Sequence, residues 1–156
     1  MKKKIYLISI IFFLIDLISK IIILSIENKF PVKVIENFFY IEKVTNKGAA
    51  FSILNGYTFL FIMIAIIMLI YIDKTMLKDI KTKLEIISFS MLIGGIIGNL
   101  FDRIFYGKVI DFLSFQIFNY NFPVFNLADT FICIGVFLII VLTIYGGKNE
   151  ISSKWK

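Results

Sequence analysis

The sequence contains no histidine, and that absence removes more chemistry than any other feature of its composition. Without an imidazole there is no Ser-His-Asp triad, no Cys-His dyad and no HExxH zinc site. Cysteine is nearly as scarce. Cys133 stands alone, so no intrachain disulfide can form, and its place in an apolar run reads as helix packing. Charged residues make up only 18% of the chain. Any catalysis must therefore come from Asp, Glu, Lys, Ser or Tyr, and neither a metal nor another cofactor is expected.

What is present is apolar. Hydrophobic residues account for 59% of the 156 and aromatic ones for 17%, with 18 Phe. The mean hydropathy is +0.90. A water-facing domain cannot carry that composition. The formal net charge of +6 would suit nucleic acid, but the Lys residues lie between apolar runs, where they meet lipid headgroups. No nucleic-acid partner is expected.

A membrane-spanning helix needs roughly 20 apolar residues to cross about 30 Å of hydrocarbon. Runs at about 5–26, 57–72, 84–105 and 124–145 qualify, the first broken only by Asp16 and Lys20. Pro123 suits the approach to the fourth helix, and Gly146-Gly147 reads as its stop. The N-terminus has the Lys residues and apolar core of a signal peptide but no small-residue cleavage site, so it reads as a retained first helix.

These runs predict an all-α membrane protein, a four-helix bundle forming one domain over 1–147, with a basic, disordered tail over 148–156. Lys2, Lys3 and Lys4, the 73–83 connector and the tail are dense in Lys, which predicts cytoplasmic termini. The longer loops, about 27–56 and 106–122, then face outward. Within them, Pro31–Ile35, Phe38–Ile41 and Asp111–Phe115 are rich in β-branched and aromatic residues. They predict a small extracytoplasmic β-rich region, or an interfacial segment.

Ionisable groups within a bilayer are costly, so each one marks a possible site. Asp16 and Lys20 are four residues apart and share a helix face, either as a neutralised structural pair or as a brace for a nearby site. The stretch from Asn46 to Ser52, rich in small residues, reads as a turn before a helix or as a close approach to a ligand. Gly94 and Gly98 form a small-xxx-small packing element. Asn99 and Arg103 share a face and can bind a peptide carbonyl or a phosphate. Asp102 reads as an offset to the Arg103 charge. Asp111 follows the third helix. Asp129 falls about five residues into the fourth, roughly 7–8 Å below its boundary, and shares a face with Asn126.

Two carboxylates in contact share one proton. The ionised one can activate a water against a peptide carbonyl while the protonated one stabilises the oxyanion and then protonates the leaving amine. Asp111 and Asp129 flank one outer loop and can meet. On spacing alone, Asp102 and Asp16 remain rival partners.

The motifs also carry a resemblance. Asp16-Leu17-Ile18-Ser19-Lys20, Asn46-Lys47-Gly48-Ala49-Ala50-Phe51-Ser52, Gly98-Asn99-Leu100-Phe101-Asp102-Arg103, Val109-Ile110-Asp111-Phe112 and Phe125-Asn126-Leu127-Ala128-Asp129 occur in the order found in lipoprotein signal peptidases. The chain resembles that family from about Asp16 to Asp129. Ile18 and Ile110 depart from its usual residues, but at no charged or amide position.

The resemblance implies an aspartic endopeptidase of the bacterial cytoplasmic (inner) membrane. It implies a diacylglyceryl-modified prolipoprotein as substrate, cut just before the lipidated cysteine, and inhibition by globomycin. It implies a dyad at Asp111 and Asp129. Asn99, Arg103 and Asn126 then hold the substrate or the dyad, and Asn46, Gly48, Asp16 and Lys20 support them. Membrane lipids are the other expected partners, and a monomer is expected. A small transporter would also bury carboxylates in a bundle, but nearer the midplane and commonly within internal repeats, which are absent here. A non-catalytic assembly subunit would tolerate loss of either Asp.

Overall fold

The apolar runs form helices because, in a bilayer, only a helix satisfies every backbone group within its own segment. The computed structural model describes residues 1–26, 30–48, 54, 56–118 and 120–153, with 146–153 as helical backbone only. It contains α1 (Lys2–Ser25), β1 (Val32–Ile35), β2 (Phe39–Asn46), α2 (Thr58–Tyr71), α3 (Lys83–Tyr106), β3 (Val109–Ile117), β4 (Tyr120–Asn121) and α4 (Leu127–Ser153). A π turn, Ile72–Met76, extends α2. Four helices are long and apolar enough to cross a membrane, α4 over Leu127–Tyr145.

Their burial shows which helix is central. Within the most apolar stretch of each span, 61% of α3 is buried, against 22% of α1, 6% of α2 and 11% of α4. α3 is thus the core that α1 and α4 pack against, and α2 lies at the periphery with no fully buried residue. Glycines permit the close approach. A Cβ on Gly94 would lie 2.7 Å from the Ser9 carbonyl of α1. One on Gly95 would strike the Ala128 carbonyl of α4, and one on Gly98 would lie 2.5 Å from Asp16 Oδ2. α3 begins with a capping box, in which Glu85 N–H donates to Thr82 Oγ1 and Thr82 N–H donates back to Glu85 Oε2. It ends at Gly107, whose φ of +66° suits glycine. At the end of the bundle remote from the sheet, Lys2 Nζ pairs with Asp73 Oδ1 at 2.8 Å, joining α1 to the end of α2.

The strands form one antiparallel sheet in the order β1-β2-β3-β4. β2 and β3, separated in sequence by α2 and α3, pair from Phe39↔Phe115 to Asn46↔Val109. Stacked rings of Phe39, Phe115 and Phe125 brace this pairing. The fold is therefore not purely all-α. The three β-prone segments assemble into a continuous sheet because β2 finds its partner across two helices, a pairing that local pattern does not reveal.

Three other expectations change. α4 runs through Gly146-Gly147 to Ser153, so the glycines do not stop it. Glycine lowers helix propensity by only about 1 kcal/mol and ends a helix where the chain turns left-handed. Lys154 and Lys156 lie outside the described residues. α4 starts at Leu127 rather than near 124, which brings Asp129 into its first turn. Asn46 ends a strand instead of lying in a loop. Ala49 to Ser52 of its motif lie outside the described residues.

Gly95→Val forces α4 away from α3. It is expected to lower stability by at least the roughly 1–3 kcal/mol typical of overpacking, read as a fall in melting temperature of the purified protein in detergent.

Candidate active site

The start of α4 is set by its own sequence. Asn126 Oδ1 accepts from the Asp129 N–H at 2.9 Å, and Asp129 Oδ2 accepts from the Asn126 N–H at 3.3 Å. This reciprocal pair is a capping box with Asn at the cap and Asp three residues on. Just before it, the chain returns alongside β3. Phe122 N–H donates to the Phe115 carbonyl, and Phe125 and Leu113 exchange backbone hydrogen bonds of 3.1 and 2.7 Å. That bridge fixes the first turn of α4 two residues from Asp111.

Two amides then link the carboxylates. Asn126 Nδ2 donates to Asp111 Oδ1 at 2.7 Å and to Asn99 Oδ1 at 3.1 Å. Asn99 Nδ2 donates to Asp129 Oδ1 at 2.7 Å. Asp111 and Asp129 line a cavity of about 280 Å³ together with Asn46, Gly48, Asn99 and Arg103. Asp111 is only 3% exposed. Burial first, and then the charge of Asp129, push its carboxyl up to about 6, against the hydrogen bonds from Asn126 and Asn46 and the charge of Lys20. Among the described residues, no group of three His, Cys, Asp or Glu side chains is placed to hold a metal ion.

Behind the cavity lies a buried charge cluster. Lys20 Nζ pairs with Asp16 Oδ2 at 2.7 Å and Asp102 Oδ2 at 2.8 Å, with all three side chains 1% exposed. It also donates to Asn99 Oδ1 at 3.3 Å. Each carboxylate reaches one backbone amide. Asp16 Oδ1 accepts from the Ala128 N–H at 2.9 Å, and Asp102 Oδ2 accepts from the Ile110 N–H at 3.2 Å. These amides immediately precede Asp129 and Asp111. The cluster thus anchors the backbone on which both cavity carboxylates stand.

Asp102 is ion-paired with Lys20, and it offsets the Arg103 charge only after Asp129 and Asp111. Adjacent helical residues point about 100° apart, so Asp102 and Arg103 face different neighbours. The Arg103 guanidinium donates to the Asn99 carbonyl at 3.3 Å and the Gly48 carbonyl at 3.2 Å, and lies 5.1 Å from the centre of the Phe61 ring. Asn46 Oδ1 accepts from the Gly48 N–H at 2.9 Å, holding that turn.

The structure therefore brings Asp111, Asp129, Asn99, Arg103, Asn46 and Gly48 to the cavity wall, with Asn126, Asp16 and Lys20 directly behind. Cys133 was read as helix packing, yet it is exposed and lines the same cavity. Its place one turn beyond Asp129 on the same helix face was the available signal. The lining segment 122–125 carried no such signal, because its position depends on the bridge to β3.

Residues 8–145 match the family model described as signal peptidase (SPase) II. The chain belongs to the signal peptidase II family. It is an aspartic-type peptidase that cleaves lipoprotein signal peptides, and its spanning helices make it a multi-pass membrane protein. Two solved structures are similar to this peptidase. One, a bacterial membrane enzyme determined by the in meso method at 2.3 Å resolution, is 35% identical with a TM-score of 0.85, over 96% of this chain and 92% of that one. Another bacterial membrane enzyme, determined by the same method at 1.9 Å, is 36% identical with a TM-score of 0.79, over 92% of this chain and 93% of that one.

Lys20→Met leaves two buried carboxylates without their cation. It is expected to destabilise the peptidase by about 3–5 kcal/mol, read from thermal unfolding in detergent. A second expectation follows from Asp111. Its folded-state value of about 6 lies above the ordinary 3.8, so its stabilising contribution is full below about pH 3.8 and is lost as pH rises through 6. The gap corresponds to about 3 kcal/mol. Asp111→Asn cannot ionise and keeps an oxygen for Asn126. It is expected to melt above wild type at pH 7.5 and to converge with it near pH 4.

Proposed function

We propose that Asp111 and Asp129 are the catalytic dyad of this peptidase and that its substrate is a diacylglyceryl-modified prolipoprotein cut just before the lipidated cysteine. The observation that carries this reading is the double amide bridge, Asp111–Asn126–Asn99–Asp129, at the wall of one cavity. Asp111 carries the shared proton, consistent with its raised carboxyl value. Asp129 acts as the carboxylate, in a first turn whose amides favour negative charge.

Asp129 takes a proton from a water between the two side chains, and the resulting hydroxide attacks the carbonyl of the residue before the cysteine. Asp111 donates a hydrogen bond to the developing oxyanion. Asp111 then gives its proton to the leaving cysteine nitrogen as the C–N bond breaks, and the proton that Asp129 took from water leaves the dyad singly protonated again. Asn99 and Asn126 hold the carboxylates in register, and Arg103 with Asn46 holds Gly48 at the cavity wall beside them. Asp16 and Lys20 position the backbone beneath.

The site lies where the sheet meets the helices, so a lipid-linked substrate reaches it without leaving the bilayer. We assign the sheet end to the outer face of the bacterial inner membrane and both termini to the cytoplasm, from the Lys-rich opposite end. The domain covers 1–147 and works as a monomer, and globomycin inhibits it by occupying the cavity.

Purified protein is incubated with a diacylglyceryl-modified prolipoprotein. Wild type is expected to cut it, and Asp111→Asn and Asp129→Asn each to lose at least 10²–10⁴ in kcat while remaining folded. Normal turnover by either variant would falsify the dyad.

A further inference from the structure

The signal peptide ahead of the cut must cross the bilayer, so its path from the dyad lies along the bundle. α1 closes one flank of α4. There the rings of Phe12 and Phe131 lie 4.9 Å apart, and Asp16 accepts from the Ala128 amide. On the other flank, the side of α2, side chains remain exposed. Cys133 lines the dyad cavity and is itself exposed, and Phe61 of α2 stands by Arg103 at the cavity wall. The cavity thus meets the lipid beside Cys133.

From Cys133 the same face of α4 runs on toward the end remote from the sheet. Asp129, Cys133, Val136, Ile140 and Thr143 follow at steps of three and four residues, which stacks them on one face. Val136 is 38% exposed and Ile140 51%, and Thr143 is exposed as well. The strip makes no polar demand at its far end, because the Thr143 hydroxyl donates to the Ile139 carbonyl of its own helix at 2.8 Å. The small side chains of Cys133, Val136 and Thr143 allow a second helix to approach closely. From Asp129 to Thr143 is about 21 Å along the helix axis. The apolar core of a signal peptide, roughly 7–15 residues, covers about 10–22 Å as a helix.

Resting on the reading that the cut is made between Asp111 and Asp129, we propose that the apolar helix of the substrate's signal peptide docks on this strip of α4, on the side of α2 and antiparallel to α4. The direction follows from topology. α4 runs from the sheet toward the cytoplasm, whereas a signal peptide runs from the cytoplasm to the cut. Lipid is as apolar as the strip, so close packing and not escape from water favours the docked helix. The cut site held in the cavity keeps that helix beside the strip, and weak contacts then suffice to align it. This face of α4 positions the substrate without touching the reacting atoms.

The test uses the full-length peptidase in lipid nanodiscs, with the photocrosslinker p-benzoyl-phenylalanine in place of Val136 or Ile140, or of Ile11 or Ile18 as controls. Ile11 and Ile18 are 52% and 55% exposed, on the face of α1 turned away from its buried residues. Each variant is illuminated with a synthetic diacylglyceryl-modified prolipopeptide, and the linked residue is mapped by mass spectrometry. Positions 136 and 140 are expected to link to the signal peptide several-fold more than positions 11 and 18. Both helices rise equally per residue, so the residue linked from 140 is expected to lie about four residues farther from the cut than the one linked from 136. Equal yields at all four positions overturn the proposal. So does the absence of adducts at 136 and 140, or a linked residue that stays the same between them. The map reports where the signal peptide lies, whichever groups cut it, so a failure of the dyad is read separately, from turnover of the Asp111 and Asp129 variants.

Discussion

A single ammonium group organises this molecule. Lys20 lies in the apolar centre of the bundle with its charge out of reach of water, a state tolerated only where opposite charge and hydrogen bonds surround it. Asp16 supplies one carboxylate from the same helix and Asp102 another from α3. Both go on to bind backbone amides in other elements, Ala128 in α4 and Ile110 in β3. Four elements therefore converge on one charge. The residues that follow those amides are Asp129 and Asp111, so the geometry of the site is inherited from the requirement that Lys20 be neutralised.

That arrangement needs close helix packing, and α3 provides it. Its glycines leave no room for side chains against α1 and α4, and the backbones approach far enough for Asp16 to reach across to α4. In lipid there is little hydrophobic drive to bring helices together, so small residues and internal polar contacts carry the association. Here both act at one level of the bundle: Gly98 sits against Asp16 itself.

The sheet has a different task. β3 carries Asp111 and also pairs with the segment that leads into α4. One strand thus fixes one carboxylate directly and the other through the Phe125–Leu113 bridge. The amide pair Asn99 and Asn126 completes the link between them. Burial makes Asp111 costly to charge at neutral pH; in the proposed dyad, stability is given up locally so that a proton is held at the reacting pair.

The amino-acid sequence by itself determined the spans, because bilayer thickness demands long apolar runs, and it determined the chemistry available, because histidine is absent and the remaining acids stand in recognisable motifs. Helix ends were less legible. Gly146-Gly147 read as a stop, but glycine ends a helix only where the chain turns, and the Asn126–Asp129 capping box, not Pro123, sets the start of α4. Only the tertiary structure decided which acids meet. Spacing left Asp16, Asp102, Asp111 and Asp129 as rivals. The separation into a structural pair around Lys20 and a cavity pair around Asn99 and Asn126 depends on contacts between residues up to 112 positions apart. Such contacts arise from how elements pack, which no local pattern encodes.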